Sequence, residues 1–235
     1  MNIRRRIVGQ VALVAVFVMR VQGQKSFEAA RVRARSVEPI ISEAAARYGV
    51  DPRVLWTIGY LESRFNSNAI SYKNGEPCAF GLMQFLPSTG KRYGLRNPHD
   101  PQNAIDAAAR YLRELMARFD GRLELVLAAY NAGEGAVEAY RYGRRLMLPN
   151  GKVINPRGIS TGGIPPYRET RGYVARGRLI FSAITRKQLF LGSPRQGAET
   201  SAKGSNLLRE ASIYTSNYGS RSLTPNTLSL YSSEP

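Results

Sequence analysis

Apolar side chains three or four residues apart recur in this chain from Val37 to Ile184, and no two-residue alternation competes with them. That period puts the apolar residues on one face of a helix. Ile40, Ile41, Ala44, Ala45 and Tyr48 form one such stripe, ended by Gly49. Asp51-Pro52 and Asp100-Pro101 are start signals: an acceptor side chain at the cap, then a proline where the helix has no use for the N–H. Val54, Leu55, Ile58, Leu61 and Phe65 follow the first. Ile105, Ala108, Ala109, Leu112, Leu115, Met116 and Phe119 follow the second, and Gly121 stops that run. Shorter helices are expected over Gly81–Gly90, with Pro87 as a point of interruption, over Leu123–Tyr130 and over Ala136–Tyr142, and a last amphipathic one over Arg168–Thr185. Residues 66–80 read as a loop. The Gly- and Pro-rich stretch 143–166 reads as a long surface loop, a kind that is often functional. The fold class expected is mainly α.

The ends have other compositions. Arg4, Arg5 and Arg6 precede an apolar run, Ile7 to Met19, that is too short for the roughly 30 Å core of a bilayer. Val21-Gln22-Gly23 then offers small or modest side chains for a cut before Gln24. Residues 1–23 therefore read as an export signal, with an uncleaved anchor as the alternative, and the expected location is the periplasm or outside the cell. Residues 24–36 read as a lead-in, 37–190 as the folded domain and 191–235, rich in Ser, Thr, Asn and Gly, as a disordered tail.

The formal charge is +17 from 34 Lys and Arg against 17 Asp and Glu. Residues 1–23 hold four Arg and no acid, so a chain cut there carries +13. Such a balance calls for an anionic partner. Export and the lack of any interleaved aromatic-basic repeat argue against nucleic acid. One His and one Cys exclude a multi-histidine metal centre and an internal disulfide. No phosphate-loop or nucleophile-elbow motif is present. No metal or cofactor is expected.

Glu62 is the residue that does not fit its surroundings. It lies four residues after Ile58 and seven after Leu55, on or beside the apolar stripe. Loss of water there disfavours the carboxylate and raises its pKa. An acid that keeps its proton near neutral pH can donate it to a leaving oxygen. The helix alone also fits a Glu at the stripe's edge, reaching to water or paired with Arg64 or another Arg.

Glu62-Ser63 is followed by Gly81-Leu82-Met83-Gln84, then by Ala129-Tyr130-Asn131-Ala132-Gly133, then by Pro166-Tyr167-Arg168-Glu169-Thr170-Arg171-Gly172-Tyr173-Val174. This ordered set, across residues 37–185, resembles the lytic transglycosylases of the soluble-lytic-transglycosylase type, relatives of goose-type lysozyme. The resemblance implies a lysozyme-like helical domain with a glycan-binding cleft. It implies cleavage of the β-1,4 bond between N-acetylmuramic acid and N-acetylglucosamine in peptidoglycan, the muramic acid's own C6 hydroxyl attacking C1 to leave a 1,6-anhydro end. Ordinary glycosidases need two carboxylates; here substrate groups replace the second.

The same resemblance implies Glu62 as the single acid and base and Ser63 as its hydrogen-bonding companion. Gly81 would allow chain and glycan to approach closely. Met83 and Gln84 would line the cleft, Tyr130 would orient the Glu62 carboxyl, and Asn131 would bind an N-acetyl group or nearby backbone. Tyr173 would stand near the carboxyl, and Glu169 would hold structure by pairing with Arg. Gly172 stands where family members often carry Asn. Glu76, Glu124 and Glu134 read as solvated or helix-end residues, Asp51 and Asp100 as caps, His99 as a surface residue, and Cys78 receives no role. A monomer acting on peptidoglycan strands is expected, with secretion or conjugation machinery as a partner for the tail. Two alternatives stay open: a hydrolytic lysozyme on the same fold, and a peptidoglycan-binding assembly factor without catalysis.

Overall fold

Residues 29–30 and 32–187 are described by the computed structural model; the expected export signal and tail lie outside them. Both Asp-Pro signals start helices as expected. Asp51 accepts from the Arg53 N–H at 2.8 Å and opens α2 (Pro52–Ser63), which follows α1 (residues 32–48). Asp100 accepts from the Asn103 N–H at 2.7 Å and opens α4 (Pro101–Arg118), the second of two helices that follow α2, after α3 (Pro87–Arg92). Each such cap contributes about 1 kcal/mol.

α1 begins before Val37. Ala30 and Ala34 are buried with Val37 and Ile41, so residues 32–36 are helix and not lead-in. The small side chains let that turn lie close against the core, which a count of polar and basic residues does not show.

α4 and α5 (Leu123–Ala132) form the centre of the molecule. Ala104, Ala107, Ala108 and Ala109 on one, and Leu125 through Ala129 on the other, are fully or almost fully buried. α6 (Glu134–Arg141) follows, and α7 (Arg168–Lys187) packs back across α2 and α5. Gly177 sits at that crossing: a Cβ there would stand 2.6 Å from Leu127 Cδ1 and 3.2 Å from Leu61 Cδ1. Gly59 on α2 likewise makes room for the Phe65 ring.

Residues 66–80 are not a plain loop. β1 (Ile70–Lys73) and β2 (Glu76–Phe80) pair antiparallel, with Lys73 opposite Glu76. Asn74 and Gly75 both have positive φ, 52° and 87°; an Asn-Gly pair in that conformation matches the twist of a two-residue hairpin. The helix expected over Gly81–Gly90 is also corrected. Gly81 (φ 75°) and Gln84 (φ 50°) leave the helical region, and Phe80 and Phe85 exchange backbone hydrogen bonds at 3.1 and 3.2 Å. Residues 81–84 are thus a turn, and α3 begins only at Pro87.

The 143–166 loop contains a short antiparallel pair, β3 (Leu146–Met147) with β4 (Val153–Ile154). The mainly helical expectation otherwise holds.

Candidate functional site

Glu62 lies in the last turn of α2. The negative end of a helix dipole disfavours a carboxylate there. Chain geometry just beyond is tight, since Arg64 and Phe65 both take positive φ, 54° and 62°. Arg64 N–H and Phe65 N–H close the helix on Tyr60 and Gly59 carbonyls. The helix therefore stops abruptly after Ser63 and leaves Glu62 facing α7.

Tyr173 on α7 donates its hydroxyl proton to Glu62 Oε1 at 2.6 Å. Four influences set the Glu62 pKa. Burial pushes it up, the Tyr173 hydrogen bond pulls it down, the charge of Glu169 pushes it up and that of Arg176 pulls it down. The result is a carboxyl pushed up from 4.5 to about 8. Some of the residue's surface nevertheless remains open to solvent. Such a group is an acid at neutral pH with access to an incoming ligand, which is what protonating a leaving oxygen requires. Burial also pushes Tyr173 and Tyr130 well above their ordinary range, and the nearby Glu62 charge adds to it. Both therefore stay protonated and able to donate.

The other sequence candidates divide differently from expectation. Ser63 Oγ does not hold the carboxyl; it donates to the Leu82 carbonyl at 2.8 Å and accepts from the Asn66 N–H at 3.0 Å. Tyr130 does not orient Glu62 directly either, since its hydroxyl donates to the Met83 carbonyl at 3.0 Å. Met83 does not line a cleft: its side chain is fully buried in the core, where a flexible thioether fills space. Gln84 spends its amide on the protein, donating to the Ala69 and Gly81 carbonyls at 3.2 and 2.8 Å and accepting from Ser71 Oγ at 2.6 Å. Gly81 permits a close approach, but to protein: a Cβ there would overlap the Pro98 carbonyl oxygen. Asn131 Oδ1 accepts from the Thr170 hydroxyl at 2.8 Å and ties the end of α5 to the start of α7.

Ser63, Tyr130 and Gln84 thus converge on one feature, the turn 81–84. Three hydrogen-bonded side chains from α2, α5 and the turn itself fix the wall of chain beside Glu62. Each such bond is worth about 1 kcal/mol net, and more where its loss strands a buried carbonyl.

Two residues that act on Glu62 were not singled out for that role from the sequence. Glu169, expected to hold structure by pairing with Arg, and Arg176, which no motif marks, are both felt at the carboxyl. Their signal was present: positions 169, 173 and 176 are spaced four and three apart, so they share the α7 face that carries Tyr173.

Away from this site, Glu134 is buried and was read only as a helix-end residue. Burial would raise its pKa, but hydrogen bonds from Arg92 at 2.7 Å and Tyr111 at 3.0 Å bring it below the ordinary value. Tyr93 continues the network, accepting from Arg92 at 2.6 Å and donating to Glu114 at 2.7 Å. The Tyr93, Tyr111 and Tyr130 rings then follow one another at 4.7 and 5.3 Å between centroids, linking this network to the Tyr130 side of the site. His99 is braced, with Nδ1 2.8 Å from the Ser67 carbonyl and its ring edge-on to Phe80. Cys78 Sγ donates to the Ser71 carbonyl at 3.4 Å.

Residues 39–145 match the family model described as "Transglycosylase SLT domain". Over 124 residues the chain is 40% identical to the membrane-bound lytic murein transglycosylase C of Haemophilus influenzae, an alignment covering 45% of this chain and 34% of that protein. It is 33% identical over 138 residues to the membrane-bound lytic murein transglycosylase F 1 of Alkalilimnicola ehrlichii, covering 56% and 26%. The chain thus spans about a third or less of the length of these relatives. A solved structure of an inactive mutant of the lytic transglycosylase Slt from Pseudomonas aeruginosa aligns with TM-score 0.48 and 26% identity, covering 66% of this chain and 25% of that one.

Proposed function

We propose that this chain, whose residues 39–145 match the transglycosylase SLT domain model, is a lytic transglycosylase acting on peptidoglycan, with Glu62 as its acid and then its base. The observation that carries the proposal is the Glu62 carboxyl, pushed up to about 8 by burial and held by Tyr173 at 2.6 Å. In this reading protonated Glu62 gives its proton to the glycosidic oxygen as the bond to C1 of the muramic acid breaks. The resulting carboxylate then takes the proton of the C6 hydroxyl as that oxygen bonds to C1. No water is consumed, and the product carries a 1,6-anhydro end. The Tyr173 hydrogen bond matters most in the second half, where it stabilises the charge that Glu62 acquires.

The relatives named as membrane-bound murein enzymes support a place in the bacterial envelope. Basicity would hold the enzyme on an anionic wall. A role in opening the wall for a secretion or conjugation apparatus, served by residues 191–235, is a further part of the proposal and lies outside the described residues. Replacement Glu62→Gln keeps the shape and removes the proton donor. Purified variant is expected to bind sacculi as the parent does and to release no soluble fragments; undiminished release would take Glu62 out of its role.

One observation favours a second reading. Glu169 is close enough for its charge to be felt at Glu62, and two carboxylates are what a hydrolytic glycosidase uses. In that reading Glu169 activates a water and the product has a reducing end.

A further inference from the structure

The segment between α6 and α7 has features that the catalytic reading does not use. From Ala139 to Arg168 it carries six Lys and Arg and no Asp or Glu. Arg144, Arg145, Lys152 and Arg157 are exposed, and none of the four makes an ion pair among the described residues. Arg141 differs, being paired with Asp120 at 3.0 Å.

The same segment leaves three large apolar side chains in solvent: Met147 is 74% exposed, Tyr142 53% and Ile159 41%. Single exposed apolar residues are ordinary; three on one cationic segment are not. Arg141 and Arg144 lie over the Tyr142 ring at 5.5 and 5.1 Å from its centroid, so the ring already sits among cations.

The segment is also built. Asn155 is buried, donates to the Ala139 and Ile159 carbonyls at 3.0 and 2.8 Å, and accepts from the Ile159 N–H at 3.0 Å. Leu148 and Ile154 join Tyr140, Ala132, Ala136 and Ala139 in a small core of their own. Gly143 and Gly158 pass backbone against backbone, a Cβ on the first standing 3.0 Å from the carbonyl oxygen of the second. Tyr142 and Ile159 flank that crossing. Residues 146–167 lie beyond the SLT match.

We propose that this face docks on an anionic lipid bilayer. Met147, Tyr142 and Ile159 enter the headgroup region, and Arg144, Arg145, Lys152 and Arg157 meet the lipid phosphates. Aromatic and aliphatic groups prefer that depth, and each cation near an anionic surface adds attraction. An acidic polymer would satisfy the cations but leave Met147 and Ile159 in water, so the exposed apolar tips favour lipid. No described helix is long and apolar enough to cross a membrane.

Vesicle sedimentation of the full chain tests the proposal. Vesicles of mixed phosphatidylglycerol and phosphatidylcholine are compared with phosphatidylcholine alone. The parent is expected to prefer the anionic vesicles and to release with salt. The combined variant Arg144→Gln, Arg145→Gln, Lys152→Gln, Arg157→Gln is expected to bind them at least about 10-fold less well. Met147→Ser alone is expected to give a smaller loss. None of the five side chains is buried, so the melting temperature should stay at the parent value. Equal vesicle binding by parent and fourfold variant would overturn the proposal. So would a defect confined to sacculi with vesicle binding intact, which would assign the face to an acidic polymer. The readout is lipid binding, so it stands or fails separately from the catalytic reading.

Discussion

The Tyr173 hydroxyl lies 2.6 Å from Glu62 Oε1, joining α7 to the last turn of α2 across 111 residues of chain. This bond opposes the burial of the carboxyl without cancelling it. Glu62 therefore keeps its proton near neutral pH while having a partner ready for its charged form.

The first consequence is a pH profile. In the proposed reaction Glu62 gives up a proton in the first step, and its pKa stands at about 8. Cleavage of sacculi is expected to hold through neutral pH and fall as pH rises through about 8. A profile that instead falls from pH 5 upward would place the acid elsewhere.

The neighbours should move that limb in opposite directions. Tyr173→Phe removes a bond that favours the charged form, so the alkaline limb should move to higher pH while the rate drops by up to about 100-fold from lost positioning. Glu169→Gln removes a like charge, so the limb should move to lower pH. Rate-against-pH curves for both variants check the pair of signs. If Glu169 is instead a hydrolytic base, its replacement should abolish turnover rather than displace the limb.

Stability carries the same signature. The folded pKa of Glu62 is raised above the unfolded value, so folding favours the proton. The contribution of Glu62 to the parent's stability therefore falls as pH climbs from about 4.5 to about 8. Glu62→Gln cannot titrate. Its unfolding free energy relative to the parent should be lowest near pH 4.5 and grow toward pH 9, by roughly a few kcal/mol at the alkaline end. A difference that is constant with pH would contradict the burial of this carboxyl.

The turn 81–84 and the α7 crossing give predictions of structure. Tyr130→Phe strands the Met83 carbonyl and should cost about 1–3 kcal/mol of unfolding free energy. Gly177→Ala drives a methyl to 2.6 Å from Leu127 and should cost about 1–3 kcal/mol. Gly81→Ala meets backbone at Pro98 with φ at 75°, and should cost more than either. Urea melts rank the three.

The helices were legible because periodicity and caps are local: Asp51, Asp100 and the stripes after them act within a few residues. The β1–β2 hairpin did not stand out from a loop: Asn74-Gly75 marks its turn, but strands of four and five residues give too short an alternation to show. Glu62 could be located as an acid on an apolar stripe. What its neighbours do could not, because Ser63 and Tyr130 are motif residues whose partners are backbone carbonyls 19 and 47 residues away, and Gln84 reaches Ala69 15 residues back as well as Gly81 in its own turn. A motif shows that residues matter together; only the fold shows that these three fasten one turn rather than touch the carboxyl. Glu134 was missed for a related reason, since its partners Arg92 and Tyr111 come from two other helices.

The reaction proposed for Glu62 cleaves glycan without consuming water. Mass spectrometry of fragments released from purified sacculi by the parent, with Glu62→Gln alongside, tests it most directly. Fragments one water lighter than hydrolysis products and lacking a reducing end are expected, with none released by Glu62→Gln. Reducing-ended fragments from the parent, or anhydro fragments released by Glu62→Gln, would contradict it.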